Sequence, residues 1–143
     1  VGEEIGAVPV LKALVANGHR LILFTMRSDL CLDPLSNDPE IHLKPGPYLT
    51  DAVNWFKKHE IPLFGVNHNP EQDTWTTSPK SYAHLTIDDA ALGCPLIHPQ
   101  GERPHVDWPT VYSMLVVKGI IQRPVPEFPV TNRGLQFKEL EQD

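Results

Sequence analysis

At 143 residues, with 41% hydrophobic and 21% charged residues, the chain is long enough for one real core and has the balance of a globular protein. A formal net charge of −6 removes the global basic field that would draw nucleic acid, which makes such a partner an unfavoured one that only a local basic patch would recruit. No apolar run approaches a membrane span, the acidic opening VGEEIGAVPV lacks the basic region of a signal peptide, and Cys31 and Cys94 show no CxxC spacing, so they read as free thiols of a reducing cytoplasm.

The first element is a helix over 6–17. Ala7, Val10, Leu11, Leu14 and Val15 recur at helical spacing, Lys12 and Asn17 point away, and Gly18 stands where a left-handed C-terminal cap belongs. Leu21-Ile22-Leu23-Phe24 is a continuous apolar run, the pattern of a strand buried on both faces of a parallel sheet, and it ends in Thr25-Met26-Arg27-Ser28. Residues 29–47 hold four prolines, several acids and no period, the signature of a long surface loop. A helix at about 48–59 presents Leu49, Ala52, Val53 and Phe56. A strand over Ile61–Val66 comes next, closed by Asn67-His68-Asn69-Pro70, where turn roles outweigh substrate roles for His68 and Asn69.

Residues 71–79 read as polar loop and Lys80–Ala83 as a helical turn. His84-Leu85-Thr86-Ile87 has the length and β-branched content of a buried strand. Asp88 and Asp89 stop that run, and Ala90-Ala91-Leu92-Gly93 continues as loop. Pro95–Pro109 is loop with room for a short hairpin. Asp107 is a suitable N-cap for a helix of about 108–118 whose inner face is Trp108, Val111, Tyr112, Leu115 and Val116, ended by Gly119. From residue 122 on, prolines and charges suggest a tail, which leaves residues 1–121 as the folded domain and 122–143 as an appendage.

Helix, strand, helix, strand, strand, helix is a doubly wound α/β order, and ligands of such sheets bind beyond the carboxyl ends of the strands. Thr25, Lys80 and Asp88-Asp89 all fall at or beside expected strand ends. Taken singly, each has a bland reading: a threonine closing a strand, a solvated loop lysine, an acidic turn. Two adjacent carboxylates repel, and a divalent cation or a lysine relieves that repulsion, so the set points to a cation and phosphate site.

In order and kind, these residues resemble the haloacid dehalogenase-like (HAD) hydrolases, over residues 1 to about 118. The run LILFT with Thr25 is similar to that family's second motif, Lys80 to its third and LTIDD to its fourth. The resemblance is to small members with little or no cap domain, and it implies a three-layer Rossmannoid fold with a mainly parallel sheet. It further implies a Mg²⁺-dependent phosphatase of the cytoplasm acting on a small phosphorylated substrate through an aspartyl-phosphate. Thr25 and the Met26 N–H would hold the phosphoryl group, and Arg27 and Asp29 would lie within reach of substrate, although an ordinary surface salt bridge is the better reading for those two. Lys80 would offset its charge, and Asp88 and Asp89 would serve Mg²⁺. Two other functions share the pattern: a nucleotide or polynucleotide-end phosphatase, and a non-catalytic module that binds a phosphorylated ligand or a protein partner. The family's first motif, a strand ending in Asp-x-Asp, has no counterpart before Thr25, since Glu3 and Glu4 follow no apolar strand. The expectation is therefore that the nucleophile lies upstream of Val1 and that residues 1–143 alone are metal-free and inactive. A receiver domain uses similar residue types, but there the acidic pair comes first in the chain and here it comes last.

Overall fold

A computed structural model describes residues 5–32 and 43–122. In chain order the elements are α1 (Ala7–Ala16), β1 (Ile22–Leu23), β2 (Leu30–Leu32), β3 (Leu43–Pro45), α2 (Tyr48–Lys58), β4 (Gly65–Val66), a 3₁₀ turn (Pro70–Thr74), β5 (Leu96–Ile97), β6 (His105–Val106) and α3 (Trp108–Val117). The protein is thus a mix of helices and short strands with one small parallel sheet, β1–β4, and two antiparallel pairs, β2–β3 and β5–β6. It divides into two compact units. Among the described residues, the first comprises 21–32 and 43–82, and the second 5–20 and 83–122.

The second unit is built as its sequence periodicity predicts. α1 buries Ala7, Val10, Ala13 and Leu14, and α3, which packs against it, buries Val111, Tyr112, Ser113 and Leu115. Gly18 and Gly119 take φ of +83° and +75°, left-handed positions that let each helix end cleanly. Asp107 caps α3 as expected: its Oδ1 accepts from the Thr110 N–H at 3.3 Å and its Oδ2 from the Thr110 hydroxyl at 2.8 Å. Asn17 does not point away. Its side chain donates to Ala13 O at 2.8 Å and accepts from the Gln122 N–H at 2.9 Å, joining the end of α1 to the chain after α3. Ile121, almost fully buried, closes the core there. The hairpin expected between Pro95 and Pro109 is present as β5 and β6, with Leu96 opposite Val106.

In the first unit, β1 and β4 run parallel, with Ile22 opposite Gly65 and Leu23 opposite Val66. The Phe64 N–H donates to Leu21 O and the Asn67 N–H to Leu23 O, both at 2.7 Å. β1 is not buried on both faces as its apolar run suggests: Ile22 and Leu23 are half-buried and Phe24 is 58% exposed. A sheet of two strands covers little of either face, so an apolar run this short stays wet. The strand expected over Ile61–Val66 contracts to its last two residues, although Ile61 itself is buried.

Three further expectations are corrected. His84–Ile87 forms no strand and Leu85 is 44% exposed; strand formation depends on a partner, and none pairs with this run among the described residues. Lys80–Ala83 is not a helical turn, because a distant side chain takes the backbone groups such a turn would use. The loop expected over 29–47 contains β2 and β3, paired with Leu30 opposite Pro45 and Leu32 opposite Leu43, a register that no period in the sequence announces. The expected tail beyond Gln122 lies outside the described residues.

Candidate functional site

Thr25 follows β1 at the carboxyl end of the parallel pair. Its N–H donates to Asn67 Oδ1 at 2.7 Å, and Asn67 sits at φ +55°, a conformation that asparagine tolerates better than most residues. The Thr25 hydroxyl oxygen accepts from the Arg27 N–H at 3.1 Å, which turns the chain sharply after the strand. That bond occupies a lone pair and leaves the O–H proton free to be donated. The Met26 side chain is 98% exposed. Arg27 lines a cavity of about 200 Å³ with Asp51, Ala52, Trp55 and Phe56 of α2.

Asp29, just beyond, is a remote cap for α2. Its Oδ1 accepts from the Leu49 and Thr50 N–H groups at 2.9 and 3.0 Å, and its Oδ2 from the Thr50 hydroxyl at 2.7 Å. The Thr50 hydroxyl, then the Thr50 and Leu49 backbone N–H groups, hold this carboxyl below its ordinary range. α2 has no cap from its own preceding residue Pro47, so the first two exposed N–H groups of its turn are satisfied from across the unit.

Lys80 lies on the segment from Asn69 to Tyr82, which closes on itself. The Asn69 side chain donates to Tyr82 O at 3.1 Å, and its oxygen accepts from the Glu71 N–H at 3.0 Å to start the 3₁₀ turn. Inside the loop Gln72 is 1% exposed. Its amide donates to Ser78 O and to Lys80 O, both at 3.0 Å, and its carbonyl oxygen accepts from the Tyr82 N–H at 2.8 Å. The Lys80 N–H donates to Ser78 Oγ at 3.2 Å while its side chain stands exposed. The hydroxyl of the next residue, Ser81, is buried and has no hydrogen-bond partner among the described residues. His68 pairs with Asp73 at 2.9 Å, so His68 and Asn69 serve the turn, as their sequence context suggests.

Asp88 and Asp89 belong to the second unit, while Thr25, Met26, Arg27 and Lys80 belong to the first. Asp88 Oδ1 accepts from the Ala90 N–H and its backbone oxygen from the Ala91 N–H, both at 2.9 Å, so the pair opens a tight turn. Asp89 lies 3.9 Å from an Arg103 nitrogen, and the exposure of both side chains makes this a weak, screened attraction. Cys94, a free thiol, sits beside the pair. Burial chiefly raises its pKa, the Asp88 backbone N–H opposes the rise, and the Asp89 and Asp88 charges add to it. A thiol held protonated in this way is a poor nucleophile. No group of three or more His, Cys, Asp or Glu able to hold a metal occurs among the described residues. Also among them, no helix is long and apolar enough to cross a membrane.

Asn67 and Gln72 are the residues that sequence reasoning missed, and Asp29, expected to make an ordinary surface salt bridge, instead caps α2. Each organises backbone far along the chain, and only Asn67, in Asn67-His68-Asn69-Pro70, carried a turn signal. No protein-family model, no curated protein and no solved structure matches this chain.

Proposed function

We propose that Thr25, Lys80, Asp88 and Asp89 are the phosphate- and cation-binding residues of a Mg²⁺-dependent HAD-like phosphatase. The observation that carries this reading is the turn after β1. Thr25 stands at the carboxyl end of a parallel strand pair, its N–H fixed by Asn67 and its hydroxyl proton left free to donate. Phosphoryl transfer asks the protein for positioning and charge stabilisation more than for covalent chemistry. In this role the Thr25 hydroxyl and the Met26 N–H donate to phosphoryl oxygens, and the Lys80 ammonium offsets the charge that grows on them.

Asp88 and Asp89 suit Mg²⁺ as a partial ligand set. Mg²⁺ takes one or two carboxylates and completes its shell with water and substrate phosphate, so a third acidic side chain is not required. When bound there, the ion would supply Lewis-acid charge neutralisation. Asp89, partly exposed, is the better direct ligand, whereas one oxygen of Asp88 is engaged by the Ala90 N–H.

The test is Mg²⁺-dependent hydrolysis of an aryl phosphate by the full-length product of the gene. Turnover that falls by about 10²-fold or more in Lys80→Ala and is abolished in Asp89→Asn, with unchanged melting, supports the reading. Full activity in either variant contradicts it. Phosphate binding without any turnover would instead favour a non-catalytic phosphate-binding module.

A further inference from the structure

We infer that Gln72 is a positioning residue for Lys80, and that residues 69–82 are a prefolded loop built to present that lysine to an anionic phosphate ester. The inference rests on the phosphatase reading for the identity of the anion, and on the geometry of the first unit for everything else.

Gln72 and Ile61 are the only buried residues of this unit among those described, and Gln72 is polar. A buried amide that lacks partners is costly, so its bonds show what it is there to hold. Both of its N–H donors are used, on Ser78 O and Lys80 O, and its oxygen takes the Tyr82 N–H. Its own backbone oxygen accepts from the Trp75 and Thr76 N–H groups, both at 3.0 Å. A single residue therefore gathers five backbone groups from 75 to 82, and Lys80 lies between two of them. Asn69 bolts the mouth of the loop through Tyr82 O.

Compact loops of this length with close ends, packed by their own side chains, are frequently functional. For a loop serving only as a connection out of β4, these bonds supply local order and do not need the Lys80 ammonium in any particular place. A lysine asked to meet charge in a transition state gains from that order. Electrostatic stabilisation is greatest when the charged group is already in place and need not be ordered during the reaction. Gln72 fixes the backbone anchor of the exposed Lys80 side chain, which narrows the region its ammonium has to search without fixing the ammonium itself.

The test compares wild type, Gln72→Met, Lys80→Ala and the double variant in the full-length gene product, by aryl-phosphate kinetics and by amide hydrogen exchange. Gln72→Met keeps the side-chain length and removes all three amide bonds. Should it fail to fold, Gln72→Glu replaces it, retaining the acceptor for Tyr82 and losing the donors to Ser78 and Lys80. The expected result has two parts. Amides of 78–82 exchange about tenfold faster or more while those of α2 are unchanged, and kcat falls about tenfold with KM little altered. In the double variant the Gln72 change adds nothing to the loss caused by Lys80→Ala, because it acts through that lysine. Additive losses, or unchanged exchange at 78–82, would overturn the inference while leaving the phosphatase reading standing. Full activity in Lys80→Ala would remove that reading and, with it, the purpose assigned to Gln72, even if the exchange result held.

Discussion

The two units are held together by different means. In the second, nine apolar residues are buried among those described: Ala7, Val10, Ala13 and Leu14 of α1, Val111, Tyr112 and Leu115 of α3, and Val106 and Ile121 beside them. In the first, the buried residues are Ile61 and the polar Gln72. Its α2 buries no residue fully, and its apolar side opens on a cavity of about 560 Å³ lined by Val53, Phe56, Ile61, Leu63 and Val66. Burying one large apolar side chain is worth about 1.5–3 kcal/mol, whereas a hydrogen bond nets about 0.5–1.5 kcal/mol. The second unit therefore carries its stability in apolar area. The first carries its shape in directed bonds: Asp29 to the start of α2, Asn67 to Thr25, Asn69 and Gln72 to the Lys80 loop. Directed bonds contribute less stability but fix where a particular group sits, and the groups they fix here include both Thr25 and Lys80.

The contrast is broken most severely by removing apolar volume. Leu115→Ala, at a site 2% exposed, should cost about 2–5 kcal/mol and speed exchange across α1 and α3. A loss below about 1 kcal/mol in chemical denaturation would mean that the second unit does not depend on this core. A backbone clash should be the largest perturbation in the first unit. A Cβ on Gly65 would stand 2.1 Å from the His68 carbonyl oxygen, so Gly65→Ala must displace the turn that carries Asn67. We expect a cost of about 1–3 kcal/mol and loss of protection at the Thr25 amide; an unchanged Thr25 resonance would contradict this.

Caps sharpen the comparison at smaller scale. Asp107→Ala should cost about 1 kcal/mol, seen as fraying of the first turn of α3 with the rest of the second unit intact. Asp29 gives the pH dependence. Its folded pKa is lowered, so its contribution is present above the ordinary carboxylate range and is lost as pH falls through the lowered value. Acidification should release the Leu49 and Thr50 amides before those deeper in α2. Asp29→Asn should abolish that dependence, and an unaltered acid response in that variant would refute the assignment.

Legibility in the sequence divides along the same line. α1, α3, their glycine ends, the Asp107 cap and the 95–109 hairpin were legible because period and punctuation are local signals. The fate of Leu21–Phe24 and His84–Ile87 was not, because an apolar run becomes a buried strand only beside a partner that the run itself does not encode. Thr25, Lys80, Asp88 and Asp89 stood out by type and order. Their support did not: a glutamine in polar loop carries no mark that its amide will gather backbone groups ten residues away. The turn at Asn67-His68-Asn69-Pro70 was legible there, but not that Asn69 caps a 3₁₀ turn over Pro70–Thr74, in a stretch that reads as polar loop.

The central claim is that Thr25 and Lys80 serve one phosphate. It is tested most directly by titrating the full-length product with inorganic phosphate in the presence of Mg²⁺, following the Thr25, Met26 and Arg27 amides and the Lys80 ammonium by NMR. The account predicts that all four respond with a single dissociation constant, and that Lys80→Ala weakens the response at Thr25 about tenfold or more. Separate constants for Thr25 and Lys80, or a Thr25 response indifferent to Lys80→Ala, would contradict it.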